Sequence, residues 1–247
     1  MTSVYYNEID PYCAQWLRNL MDAGHIPAGD IDTRSIEDVR PDELRGYTQC
    51  HFFAGIGGWA HALALAGWGA RPVWTGSCPC QPFSTAGKRA GFDDERHLWP
   101  AWFHLIAQCR PPVIFGEQVA SAIGHGWLDG AFADLEGQGY ACGAAVLSAS
   151  AVDAPHRRDR LWIVADAVRH FESRQESRVG QDRRMGREQQ LLPWEAGWQR
   201  ALTRFRALDN GIPRCVAATD AARNAIVPQV AAEFIGAYVE AGVPMAR

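Results

Sequence analysis

The chain contains no apolar run approaching the roughly 20 residues that a bilayer-crossing helix needs, and its amino terminus has no basic stretch followed by an apolar one. A soluble, cytoplasmic protein with no membrane partner is the expectation. Paired cysteines are missing as well. The seven cysteines, Cys13, Cys50, Cys78, Cys80, Cys109, Cys142 and Cys215, are odd in number and lack the spacing of a zinc site. Their scatter fits a reducing compartment, with most of them serving as small core residues. Cys78-Pro79-Cys80 has no Cys/His pair elsewhere to complete a ligand set, so no metal is expected. Lysine is nearly absent: Lys88 stands alone among 24 Lys and Arg residues. Arginine is this chain's default base, and a run of arginines is not by itself evidence for a nucleic-acid partner.

What charge there is lies unevenly. Residues 1 to 50 carry nine acids against four arginines, a balance of −5, whereas residues 168 to 206 carry nine arginines against five acids, a balance of +4. The basic stretch contains Trp194, Trp198 and Phe205. Cations and rings together suit phosphates and stacked bases, and they suit a solvated surface or a core edge equally well. At 247 residues there is material for one α/β domain with a sizeable core and a small appendage.

Three segments read as strand, turn and helix. Thr48 to Phe53 leads into Ala54-Gly55-Ile56-Gly57-Gly58 and an Ala/Leu-rich helix stopped near Gly67. Pro72 to Thr75 leads into the loop Gly76 to Lys88. An apolar helix, Leu98 to Cys109, precedes a strand from Pro112 to Phe115 that ends at Glu117, and a further strand spans Arg160 to Ala165. Strands alternating with helices predict a mostly parallel sheet covered on both faces, with chemistry at the carboxyl ends of the strands. An apolar helix interrupted at Asn224 to Pro228 closes the chain, from Ala221 to Val239.

The densest chemistry is in GSCPCQPFSTAGK, Gly76 to Lys88. Pro79 and Pro82 flank Cys80-Gln81 and deny the chain a regular helix or central strand, leaving a rigid loop that can present a thiol. A free thiol has a pKa of about 8.5, so a reactive one needs positive surroundings, and Lys88 and Arg89 follow closely.

The loop resembles the nucleophile loop of the cytosine-5 DNA methyltransferases, and the resemblance extends along the chain. FGEQVAS places Glu117 where that family has its catalytic glutamate, and APHRRDRLWIVA places Arg158 and Arg160 as its arginine pair. HFFAGIGGW, which includes Phe53, Ala54, Gly55, Ile56, Gly57 and Gly58, resembles the family's S-adenosylmethionine loop. RNAIVPQVAAEFIGA puts Asn224 and Ala225 at the cofactor's methionine end, and DDERHLW puts Leu98 near its adenine. Only 21 residues separate Gly58 from Cys80, however, where the family normally has a longer segment holding two cofactor acids. Those acids are found ahead of the glycine loop instead. VYYNEIDPYCAQWLRNL resembles the second-strand motif, with Glu8 at the ribose and Ile9 beside it, and AGDID resembles the next, with Asp30 and Ile31 at the adenine. The motif order is therefore permuted. Acids near turns and helix starts are also the ordinary alternative for these positions.

The resemblance implies an α/β, Rossmann-like S-adenosylmethionine-dependent fold with a mostly parallel sheet and a small target-recognition appendage. It implies a catalytic and cofactor domain over 1–166, a short target-recognition region over 167–209, and a segment over 210–247 that returns to the catalytic domain. Cys80 would attack carbon 6 of cytosine, Glu117 would share a proton with ring nitrogen 3, and Arg158 and Arg160 would meet charge gathering on the carbonyl oxygen. The expected partner is double-stranded DNA, with the base flipped out, in a bacterial or phage-infected cell. Gln118, His156, His51 and Arg223 depart from the family pattern. A transfer RNA cytosine-5 methyltransferase and an inactive DNA-binding relative are the competing readings.

Overall fold

The computed structural model describes residues 3–79, 98–152, 154, 158–167 and 225–241. Cys80, His156, Asn224, Arg223 and the expected recognition region, apart from Ala167, lie outside them. Among the described residues, seven strands form one sheet: β1 (Val4–Asn7), β2 (Asp30–Asp32), β3 (Gln49–Phe52), β4 (Val73–Gly76), β5 (Val113–Val119), β6 (Ala141–Ser148) and β7 (Asp159–Asp166). Their spatial order is β2-β1-β3-β4-β5-β7-β6. The first five run parallel, and β7 is antiparallel to both β5 and β6. The sequence left β6 unread, and it placed Glu117 just past a strand. Pairing with β7 in fact carries β5 through Glu117 to Val119, opposite Trp162 and Arg160.

Every residue of β1, β3 and β4 is buried, as a parallel sheet covered on both faces requires. The helices are α1 (Pro11–Asp22), α2 (Gly58–Leu65), α3 (Trp99–Cys109), α4 (Trp127–Gly137) and α5 (Pro228–Glu240). Helix α1 starts sharply because the Asp10 side chain accepts from the Cys13 amide at 2.8 Å and Pro11 needs no partner at the first turn. On one face of the sheet, α2 and α5 close a core of Trp59, Leu63, Phe115, Trp162, Phe234 and Tyr238. Leu17 of α1 packs with Val4, Tyr6 and Ala60 on that same face. On the other face α3, α4 and the short turns at Ile36–Asp38 and Pro41–Leu44 cover Tyr5, Phe52, Trp74 and Ile114.

These placements fix the relative hand of the crossovers. From β1 to β2 the chain moves one way across the sheet over the α1 face, and from β3 to β4 it moves the opposite way over that same face. The β2-to-β3 and β4-to-β5 connections move in the second direction over the other face. Three crossovers therefore share one hand, and β3-α2-β4 has the other. Since parallel crossovers are right-handed in about 98% of cases, the glycine helix α2 sits in a left-handed one.

Candidate active site and cofactor cavity

The carboxyl ends of β1, β3 and β4 open on a cavity of about 560 Å³ walled by Glu8, Tyr12, Phe53, Gly55, Trp59 and Ser77 among others. That volume lies in the usual range for small-ligand sites, about 300–1,000 Å³. Glu8 directly follows β1, and β1 lies beside β3, so its carboxylate reaches the glycine loop: one oxygen accepts from the Gly55 amide at 2.6 Å, the other from the Asp10 amide at 2.9 Å. The loop turns tightly, with Phe53 at φ 51° and Gly57 at φ 80°. A bulky residue such as Phe53 rarely adopts that conformation, which marks the turn as held by its surroundings. Gly57 rests on Leu17 and Ile26 beneath it, and Gly58 abuts Ile226.

Seven of the residues expected to bind cofactor are in this wall: Glu8, Phe53, Ala54, Gly55, Ile56, Gly58 and Ala225. Gly57 supports it from below. Asp30, Ile31 and Leu98 are not among the lining residues. Asp30 pairs in register with Tyr5, three residues before Glu8, and its carboxylate accepts from the Tyr47 hydroxyl at 2.6 Å. Ile31 packs against the Leu17 cluster, and Leu98 against the α3 cluster. Ile9 is 64% exposed beyond Glu8. The residue of β2 level with the site is instead Asp32, whose carbonyl takes the Glu8 amide at 2.9 Å. Burial pushes the Asp32 carboxyl up, but hydrogen bonds from Arg34 and Tyr5 outweigh it and hold it below the ordinary value.

The second part of the site is Glu117. It is 8% exposed, and Arg160 Nε stands 2.9 Å from its Oε1. Burial raises the Glu117 carboxyl above its ordinary pKa and wins over Arg160, Arg158 and a hydrogen bond with Ser77, which all act to lower it. Burial, helped by the like charge of Arg160, in turn pulls the Arg158 guanidinium down while Glu117 opposes it. Glu117, Arg158 and Arg160 are thus brought together. Gln118 stands where the family has asparagine; its Nε2 donates to the Cys78 carbonyl at 3.0 Å and its Oε1 accepts from the Val119 amide at 2.9 Å. It ties the end of β5 to the chain two residues ahead of Cys80. His51, also a departure, is fully buried with its Nδ1 2.7 Å from Thr75 Oγ1, and burial pushes its pKa down to about 3.

Trp59, Ser77, Tyr12 and Cys13 belong to the wall although no motif singled them out. Trp59 and Ser77 stand within the glycine and cysteine motifs, and Tyr12 and Cys13 within the motif of Glu8, which was the available signal. Tyr12 and Cys13 occupy the first turn of the helix capped by Asp10. Among the described residues no group of His, Cys, Asp and Glu could hold a metal ion, and no helix is long and apolar enough to cross a membrane.

Residues 72–189 match the profile of the C-5 cytosine-specific DNA methylases. The chain is 28% identical over 165 residues to the type II methyltransferase M.DsaV of Dactylococcopsis salina, covering 65% of this chain and 38% of that protein. To M.HhaI of Haemophilus parahaemolyticus it is 28% identical over 165 residues, covering 65% and 41%. To M.MspI of a Moraxella species it is 38% identical over 94 residues, covering 35% and 22%. The chain therefore spans less than half the length of these relatives. The matched segment, a little under half of the chain, includes both the PCQ loop and the Glu117 strand, and over it the chain is similar to the C-5 cytosine-specific DNA methylases.

Proposed function

We propose that the protein transfers a methyl group from S-adenosylmethionine to carbon 5 of cytosine in double-stranded DNA, acting on a base flipped out of the duplex. The observation that carries this reading is Glu117: a buried carboxyl with a raised pKa, flanked by Arg160, beside the strand end that runs into Cys80. Cytosine carbon 5 is a poor nucleophile. Addition of the Cys80 thiolate to carbon 6 forms an S–C bond and pushes the ring electron pair toward carbon 5, while Glu117 supplies a proton to nitrogen 3. Arg158 and Arg160 offset charge on the ring oxygen. Carbon 5 then takes the activated methyl group as the donor's sulfonium–methyl bond breaks, and loss of the carbon 5 proton to solvent, departure of the Cys80 sulfur and return of the nitrogen 3 proton to Glu117 restore the aromatic ring.

The residues around the cavity fit the cofactor. The Glu8 carboxylate has lone pairs beyond its two backbone bonds for the ribose hydroxyls, and the glycine loop lets backbone approach the ligand closely. Asn224 and Ala225 would meet the methionine end, Ile9 would stand beside Glu8 at the ribose, and Asp30, Ile31 and Leu98 would lie toward the adenine. When bound, S-adenosylmethionine supplies the activated methyl group. Residues 167–209 are proposed as the target-recognition region; being short, they imply a recognition site of few base pairs. The family description names DNA, and no observation favours transfer RNA. A role in a restriction-modification system or in protecting phage DNA is the matching biology.

Bisulfite sequencing of DNA from cells expressing the protein tests this directly. Methylated cytosine in a fixed short context, lost in Cys80→Ser, is the expected result. Unmodified DNA from cells holding intact, folded protein refutes the activity, and absence of a covalent adduct on 5-fluorocytosine DNA refutes the nucleophile.

A further inference from the structure

We propose that the groove between α3 and α4 is a second ligand site, separate from the cofactor cavity, that takes a small planar aromatic molecule carrying an ammonium group. Its chemistry is independent of the activity proposed above. The cavity there measures about 410 Å³, within the range of about 300–1,000 Å³ usual for small-ligand sites. It shares no lining residue with the cofactor cavity: on the chain leaving β4, Ser77 lines the first, and Cys78 and Pro79 line the second. Its walls follow from helix periodicity. Trp99, Phe103 and Ala107 recur every four residues on α3, and Trp127, Gly130, Ala131 and Asp134 recur at three or four on α4, so each set forms one face of its helix. Facing helices ordinarily fill the space between them with interdigitated side chains. Here Ala107, Gly130 and Ala131 are too small to do so. A Cβ built at Gly130 meets nothing within 4 Å, so this glycine loosens its helix without packing against anything and leaves room beside it.

Three rings and one carboxylate define the occupant. Trp99 and Phe103 lie nearly parallel, 16° apart with centroids at 6.1 Å, while Trp127 stands at 71° to Trp99 with centroids at 5.5 Å. Aromatic surface in two orientations suits another flat ring, and ring faces attract a cation. The sign of the charge comes from Asp134. Among the described lining residues it is the only acid, none is lysine or arginine, and His104 and His125 are the remaining titratable side chains apart from Cys78. The Trp99 indole N–H donates to Asp134 Oδ2 at 2.8 Å, a bond that joins the two helices and holds the carboxylate beside the rings. A carboxylate has about four acceptor positions, so the indole leaves capacity for a ligand ammonium.

Calorimetric titration of the full-length protein with tryptamine, 3-methylindole and indole-3-acetate tests this, since the three probes share a ring and differ in charge. Tryptamine should bind most tightly and indole-3-acetate least. Asp134→Asn keeps an acceptor for the Trp99 indole but loses the charge, so tryptamine should weaken by about five- to tenfold while 3-methylindole holds within about twofold. Gly130→Leu places a strong helix former in α4 and a side chain in the open space. It should keep the wild-type circular dichroism spectrum and abolish saturable binding of all three probes. Tryptamine binding that survives Gly130→Leu places the ligand elsewhere and overturns the proposal. Equal affinity of wild type and Asp134→Asn for tryptamine overturns it whether or not the Gly130 variant folds, as does wild-type protein that binds none of the probes or binds all three alike.

Discussion

Gly58 is where the glycine loop meets the carboxyl-terminal segment, and replacing it by alanine tests that junction. A Cβ built there stands 2.6 Å from Ile226 Cγ1 and 3.3 Å from its Cδ1, whereas ordinary contact begins near 3.4 Å. Ile226 is 8% exposed and packs in the cluster of Trp59, Ala62 and Val230, so it cannot swing into solvent. Either α2 or the segment at Ala225 to Val227 has to retreat by about 0.8 Å at the closest atom. Overpacking of this kind costs about 1–3 kcal/mol, or on the order of 2–12 °C in Tm for a chain of this size. Ala225, Ile226 and Gly58 all line the cavity, so cofactor affinity should fall as well. Ile226→Ala alone should cost about 2–5 kcal/mol by emptying a packed site. In the double variant the new alanine methyl moves into the space that Cγ1 and Cδ1 leave. The two effects should therefore fall short of their sum by about 1 kcal/mol or more. Urea denaturation of the four proteins, with calorimetric titration of S-adenosylmethionine, measures both. Additive destabilisation would refute the contact and with it the return of the carboxyl-terminal segment to the glycine loop.

Three further outcomes follow from the site. His51 is held neutral by burial with its pKa pushed down to about 3, so it contributes nothing adverse above 6.5 and favours unfolding as pH falls below it. Folding stability should drop by up to about 1.4 kcal/mol per pH unit between 6.5 and roughly 5, before ordinary carboxylates protonate; His51→Gln should flatten that slope in denaturant titrations, and an unchanged slope rejects the assignment. Gln118→Leu removes the tether to the Cys78 carbonyl and should slow adduct formation with 5-fluorocytosine DNA by about tenfold, the equivalent of one hydrogen bond in the barrier. Cofactor affinity measured by calorimetry should not change, and a joint loss of both would point to general disruption instead. Burial keeps the acid form of Glu117 to higher pH than an exposed glutamate, so methyl transfer should decline on the alkaline side as Glu117 ionises. Glu117→Gln should lose about 10²–10⁴-fold in rate and with it that alkaline limb; a retained limb would assign it to another group.

Much of this arrangement was legible because local chemistry agreed with position. Strand β4 sits between Arg71-Pro72 and Ser77, and α2 follows two glycines with an Ala/Leu run, so each had a clear start and stop. Helix α4 had neither: it carries Gly130 and Gly137, and its buried contacts come from only Ala131 and Leu135. Strand β6 is built of small residues, Ala141-Cys142-Gly143-Ala144-Ala145, with low strand propensity, and its burial comes from pairing with β7. The length of β5 depends on that same antiparallel partner, which is why Glu117 looked like a residue beyond the strand. At the site, Glu8 and Gly55 are 47 residues apart and meet only because β1 and β3 are neighbours. Asp30 is the instructive difference. Its local motif was legible, but its register with Tyr5 sets it back from the level of Glu8, and no sequence spacing reports a register.

The left-handed crossover explains how a reordered chain can still build this site. Taking the glycine strand β3 as the first position, β1, β2, β4 and β5 fill the places of a doubly wound sheet of order 3-2-1-4-5, with Glu8 and the loop toward Cys80 on opposite sides of the glycine loop. Helix α2 keeps its place on the α1 face, where Ala60 meets Leu17 and Gly57 meets Ile26. In the usual chain order it would lead to the strand on the β1 side. Here it must lead to β4, and keeping the helix while reversing the direction reverses the hand. The unfavoured connection is short and well held. The buried Gln49 side chain donates to the carbonyls of Arg71 at 2.9 Å and Trp68 at 3.3 Å, and Trp68 packs on Phe115 and Tyr238 while Arg71 lies 4.8 Å over its ring. Moving α2 to the other face would restore the common hand, but it would take Trp59 away from Ser77 and Gly58 away from Ile226. The cavity depends on which side chains face it and not on the order in which the chain visits them, so the topology yields where the site cannot.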